Sequence, residues 1–151
     1  MLVSIDKTYM LDFFKDKRGY GDLVLFEGKK TMAVTYSRSG SIDHDGTLKN
    51  SINHHKWYLC GGPEAPFGEE EANKMWVKGK PGKPWKQRLW PIPVPGDHDP
   101  VSRILIHPDG GLPGTGGCVG PQDTNAMDFY YFFKWYFLKK NHGIISLSVR
   151  V

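Results

Sequence analysis

A cysteine stands near the end of the run Arg103–Gly120, RILIHPDGGLPGTGGCVG, and a histidine precedes it by eleven residues. A thiol attacks carbonyl groups well only as the thiolate, and a nearby imidazole is the usual device for removing its proton near neutral pH. Cys118 is therefore the candidate nucleophile and His107 its candidate base. Glycines crowd the segment between them, where they permit positive φ and allow a substrate to approach the backbone closely. Thr115, Gly116 and Gly117 lead directly to the thiol, and amides of Gly117 and Cys118 pointing one way would form an oxyanion hole. The imidazole needs a third group to orient it: Asp109, Ser102 and a backbone carbonyl all remain open. His98, His54 and His55 are the alternative bases.

Other chemistries fit less well. GGLPGTGG has the glycine content of a phosphate loop, but Cys118 stands where that motif requires lysine. His54, His55, Cys60 and Cys118 are zinc-ligand types, yet they lack C-x-x-C or H-x-x-x-H spacing, so no metal is expected. No organic cofactor is expected either, since cysteine and histidine perform acyl transfer unaided. Trp76, Trp85 and Trp90, set among lysines, suit either glycan stacking or the stapling of an irregular loop.

Several elements must position the pair. A strand over Arg103–Ile106 delivers His107 to the mouth of a sheet. Earlier strands are expected at Leu2–Ile5, Tyr9–Phe14, Asp22–Glu27 and Thr31–Tyr36, with hairpin turns at Arg18–Gly21 and Glu27–Lys30. A polar loop is expected from Ser37 to about Asn53, then a strand over Lys56–Leu59 closed by Gly61, Gly62 and Pro63. Residues 63–100 read as proline-rich and irregular. Between Thr124 and Lys140 the residues Phe129, Phe132, Phe133, Tyr136 and Phe137 follow the helical i, i+3, i+4, i+7, i+8 stripe, which marks a buried face. Asp123, Thr124 or Asn125 can cap that helix, and Gly143 follows as its stop. A last strand spans Ile144–Val151.

The 151 residues suffice for one domain with one core, and 18 glycines with 11 prolines favour a mainly β architecture with shaped loops. The net charge of +4 is too small for a dedicated nucleic-acid binder. A mild positive field can still assist approach to an anionic polymer such as a bacterial cell wall. Two cysteines make no disulfide framework, and each is expected as a thiol. MLVSIDKTYMLDFFKDKRGYG carries acidic residues inside its apolar stretch and no small-residue cleavage site, so it does not read as a secretory signal. No apolar run is long enough to span a membrane. Synthesis in a cytoplasm is the expectation, and any other destination needs a separate route.

The segment IHPDGGLPGTGGCVG resembles the signature of L,D-transpeptidases of the YkuD type and of their compact relatives among bacterial effectors and phage proteins. There a strand-end histidine is followed, after a glycine-rich loop, by [Ser/Thr]-x-Gly-Cys, which Thr115-Gly116-Gly117-Cys118 matches. The resemblance implies a single catalytic domain over residues 1–151. It also implies a mainly β, sandwich- or barrel-like fold with one substantial helix after Cys118. The implied activity is acyl transfer on peptidoglycan stem peptides through a Cys118 thioester, as transpeptidase or carboxypeptidase, with no cofactor. Hydrolase or endopeptidase action on the same fold and a non-catalytic wall- or partner-binding module are the alternatives. The implied site of action is the periplasm or cell wall, reached by phage lysis or dedicated export, with an immunity or export partner in the latter case. Three features depart from the family. The His107-to-Cys118 spacing is short, Pro108 replaces a small residue, and Gly120 stands where the family has arginine. The substrate carboxylate then falls to another cation, Arg103 or Arg88, beside Gly116 and Asp109.

Overall fold

In the computed structural model, residues 5–42, 48–49, 51–52, 56–63, 85–91, 104–108 and 115–151 are described. The first hairpin follows from period-2 patterning. Strand β1 (Tyr9–Lys15) turns Leu11 and Phe13 inward, and β2 (Tyr20–Glu27) sets Leu25 and Leu23 opposite them. The Asp16 carboxylate accepts the Arg18 and Tyr20 amides across the turn, and Gly19 takes the φ of 85° that the turn requires. Chain direction reverses again at Gly28, and β3 (Lys30–Ile42) runs back along β2.

Strand β3 is longer than its hydrophobic pattern indicates. The expected loop from Ser37 is strand as far as Ile42 and pairs there with β4 (Leu48–Lys49). Thr35, Ser37 and Ser39 occupy its inward positions, so no apolar alternation marks them. Their hydroxyls are nonetheless satisfied. Ser37 Oγ donates to the Thr35 carbonyl, and Ser39 Oγ accepts the Ile52 amide at 2.8 Å. Buried hydroxyls cost little when they are paired in this way.

The remaining strands are β5 (Lys56–Cys60), β6 (Gln87–Pro91), β7 (Ile104–Ile106), β8 (Thr115–Pro121) and β9 (Ile144–Arg150). They join in the order β2-β1-β9-β5-β6-β7-β8-β3-β4, and an added β2–β3 pairing closes eight of them into a barrel. The protein is thus mainly β, in agreement with its composition. Strand β6 corrects the reading of residues 63–100 as irregular throughout, and Thr115–Cys118, which follow the glycine-rich loop, belong to strand β8. Both have weak strand propensity: β8 holds three glycines, and β6 ends on proline.

Among the described residues there is one helix, α1 (Ala126–Lys139), which follows Cys118 as expected. Phe129, Phe133, Tyr136 and Phe137 are buried in the core with Leu11, Leu59, Ile145 and Leu147. Phe132, the fifth member of the aromatic stripe, is only partly buried and packs on Tyr9 with ring centroids 5.1 Å apart. The N-cap position is Asn125, without a side-chain capping bond. Asp123 ties this end down instead, taking the Thr35 hydroxyl at 2.6 Å and the amides of Tyr36 and Asn125. Trp85 is fully buried against Phe133 and belongs to the core, not to a glycan-stacking surface. Leu2, Val3 and Trp76 lie outside the described residues.

Candidate active site

The sheet register places the chemistry-bearing residues. Val119 and Ile106 are fully buried members of the core and lie opposite each other on the parallel strands β8 and β7. Side chains alternate along a strand, so Cys118 and Gly120 lie on the opposite face, as do Leu105 and His107. The His107 amide donates to the Val119 carbonyl at 3.0 Å, which continues the parallel ladder and sets His107 level with Gly120. Leu105 is then level with Cys118. The candidate nucleophile and base therefore share one face of two adjacent strands, offset by one row.

Continuing the register outward yields two rows of side chains on this face. In the first, Gly120 pairs with Arg38 of β3, and Lys86 of β6 falls beside His107. In the second, Leu105 pairs with Arg88, whose neighbour across β5 is Cys60. Cations thus stand on both flanks of the pair. Between Arg38 and Gly40 the β3–β8 register shifts, because β8 has a surplus of residues between Thr115 and Gly120. Gly116, Gly117 and Cys118 lie within this bulge, a device that re-aims backbone groups next to active sites.

His107 Nδ1 lies 3.3 Å from the Pro108 carbonyl oxygen. A carbonyl can only accept, so this contact is a hydrogen bond only in the tautomer that carries the proton on Nδ1. That tautomer leaves the Nε2 lone pair available to take a proton, as a general base requires. A backbone carbonyl is one of the orienting groups left open by the sequence, and the other two, Asp109 and Ser102, lie outside the described residues. Cys118 is buried, 9% exposed, and is not a member of the main core cluster.

A cavity of about 360 Å³ opens on the same face, lined by Cys60, Lys86, Gln87, Arg88, Trp90 and Leu105. The Arg88 guanidinium stacks 4.3 Å above the Trp90 ring, while its Nε is buried without a hydrogen bond. Gln87 donates to the Gly61 carbonyl at 3.2 Å, and its Oε1 is left without a donor. Burial pushes the Cys60 thiol up, which keeps it protonated near neutral pH. Neither cysteine is in a disulfide.

Arg88, a candidate substrate-binding cation, lines this cavity. Arg103, Asp109, Ser102 and the alternative bases His54, His55 and His98 lie outside the described residues. Thr115, Gly116 and Gly117 form the backbone of β8 leading to the thiol. Among the described residues no group of three His, Cys, Asp or Glu side chains is arranged to hold a metal, and no helix is long and apolar enough to cross a membrane. Arg38 lies on β3, in the stretch the sequence read as a polar loop. No protein-family model, curated protein or solved structure matches the chain.

Proposed function

We propose that the protein is a cysteine acyltransferase or peptidase of the L,D-transpeptidase kind, acting on peptidoglycan stem peptides. The observation that carries this reading is the pairing of β7 with β8. It brings Cys118 and His107 onto adjacent strands, with His107 Nδ1 against a backbone carbonyl.

In this reading His107 Nε2 takes the Cys118 proton, and the thiolate attacks the carbonyl carbon of the third residue of a stem peptide. The carbon–sulfur bond forms, and the carbonyl electron pair moves onto oxygen, facing the amides of the β8 bulge. Collapse of this intermediate breaks the peptide bond. His107 returns its proton to the departing amine of the terminal amino acid, leaving a Cys118 thioester. An amine or water, deprotonated by His107, then displaces the thiol. An amine gives a cross-link or an exchanged residue, and water gives a trimmed stem. The cavity beside Leu105 receives the acyl-donor peptide, and Arg88 meets one of its anionic groups. The site of action is the periplasm or cell wall.

The cavity itself favours a second reading, in which a wall-binding module uses Arg88 and Trp90 as a docking surface without turnover. Incubating the protein with purified peptidoglycan fragments and weighing the products separates the two. Loss of one terminal residue, or formation of dimers, with neither given by Cys118→Ser, supports the enzyme. Retention on sacculi with unchanged fragment masses supports the binding module.

A further inference from the structure

The outer face of α1 is apolar where a solvated helix would be polar. Phe129, Phe133 and Tyr136 lie in the core, and a helix over such a core ordinarily carries polar residues on its opposite side. Here that side holds Tyr131, Trp135 and Leu138, which are 61%, 46% and 84% exposed. Their i, i+4, i+7 spacing sets them in one stripe. Of the 14 residues of α1, only Asp128, Lys134 and Lys139 are charged. At about 100° per residue, Lys134 falls roughly 60° to one side of Tyr131, and Lys139 roughly 80° to the other. The stripe is thus flanked by a lysine on each edge. Asp128, the one acid on this side, stands in the first turn, about three turns from Lys139. Among the described residues neither lysine is in an ion pair. Each leans on a ring instead. Lys134 Nζ lies 6.0 Å from the centre of the Tyr130 ring, and Lys139 Nζ lies 5.2 Å from that of Trp135. Tyr9 and Phe132 hold the Trp135 ring from the other elements it touches.

We propose that this face of α1 docks in-plane on the surface of a bilayer containing anionic phospholipid. The order of side chains across the face matches the order of groups at such an interface. Leu138 and the ring of Trp135 reach the acyl boundary, while the Tyr131 hydroxyl and the indole N–H stay at headgroup level. The lysines on either edge lay their stems along apolar surface and keep their ammonium groups among the phosphates. A helix of this length with three charges is too short to cross the membrane and lies on it instead. Charge selects the occupant. A two-fold contact through the same stripe would bring the lysines of two copies together along one narrow strip, a like-charge arrangement. Three side chains also fall well short of the roughly 800 Å² per partner that a stable interface buries. An anionic surface answers both objections, since it attracts the lysines and requires no matching contour.

The test is sedimentation of the protein with vesicles of phosphatidylcholine alone, and of phosphatidylcholine with roughly one-third phosphatidylglycerol, at about 0.1 M salt. Binding should require the anionic lipid and should weaken severalfold at about 0.5 M salt. Near such a surface each lysine is worth about fivefold in partitioning, so Lys134→Glu with Lys139→Glu should lower binding by about tenfold or more. The same reversal at Lys29 and Lys30, exposed where β2 turns into β3, changes the net charge equally and should lower it by about threefold or less. Leu138→Asp should lower it by about tenfold, with a urea midpoint like that of wild type. Tyr131→Asp takes its place if that variant does not fold. Absence of wild-type retention on the anionic vesicles overturns the proposal. Equal losses from the two lysine pairs overturn it as well, because net charge alone then accounts for binding. Self-association that Leu138→Asp abolishes, without retention on vesicles, assigns the face to a second copy and overturns the bilayer. Binding is read without turnover, so the result is separate from the Cys118 chemistry.

Discussion

Replacing Asp6 by asparagine should loosen the hold on the last turn of α1, and should do so only while the carboxylate is charged. Asp6 Oδ1 accepts the Thr8 and Tyr9 amides at 2.7 and 3.0 Å. Its Oδ2 accepts the Tyr136 hydroxyl at 2.8 Å and Lys140 Nζ at 3.1 Å, so one side chain joins the entry to β1 to the last turn of α1. Burial works against ionisation. The Tyr9 amide, the Tyr136 hydroxyl, the Thr8 amide and Lys140 together outweigh it and pull the carboxyl from 3.8 to about 2. A folded pKa below the unfolded one means stability that is present in full above about pH 4 and is lost as pH falls through about 2. The shift corresponds to about 2 kcal/mol at most, and solvent screening at the half-exposed Lys140 reduces it toward about 1 kcal/mol. Tyr136, whose pKa burial and Asp6 push upward, remains a donor across this range. Urea unfolding of wild type and Asp6→Asn at pH 7 and pH 3 tests the account. The variant should be weaker by about 1–2 kcal/mol at pH 7, with a narrower gap at pH 3. Equal midpoints at pH 7, or a gap that does not narrow in acid, would refute the reasoning.

Two further substitutions probe the same packing. Phe133 is fully buried between Trp85 and Phe129, so Phe133→Ala should cost about 3–5 kcal/mol in denaturant unfolding. Gly143 lies so close to Tyr136 that an added Cβ would meet the ring at 2.7 Å. Gly143→Ala should therefore lower stability by about 1–3 kcal/mol, and Gly143→Ala with Tyr136→Leu should recover part of the loss.

The parts of the fold that were legible in the sequence are those with strong periodicity. The β1–β2 hairpin is marked by Leu11, Phe13, Leu23 and Leu25 around a glycine-containing turn, and α1 by its aromatic stripe. Ile104 and Ile106, followed by His107, marked the strand that delivers the imidazole. The elements that were missed hide their inward face behind polar or absent side chains. Ser37 and Ser39 continue β3 through hydroxyl hydrogen bonds, and Gly116, Gly117 and Gly120 are three of the seven residues of β8. Cys118 and His107 were readable as candidates from residue types and spacing, but the register that aligns their strands is a long-range property of β7 and β8. Arg38 comes from a strand read as a loop, and only closure of the barrel brings β3 against β8. The orienting carbonyl of Pro108 is backbone, and residue identity carries no mark of it.

The alkylation rate of Cys118 by iodoacetamide as a function of pH, in wild type and in His107→Ala, tests the central claim most directly. Cys60, held protonated by burial, serves as the internal comparison. The account predicts that near neutral pH Cys118 is modified well ahead of Cys60. It also predicts that His107→Ala slows Cys118 by about tenfold or more while leaving Cys60 unchanged. Slow modification of both thiols at one rate, indifferent to the loss of His107, would contradict it.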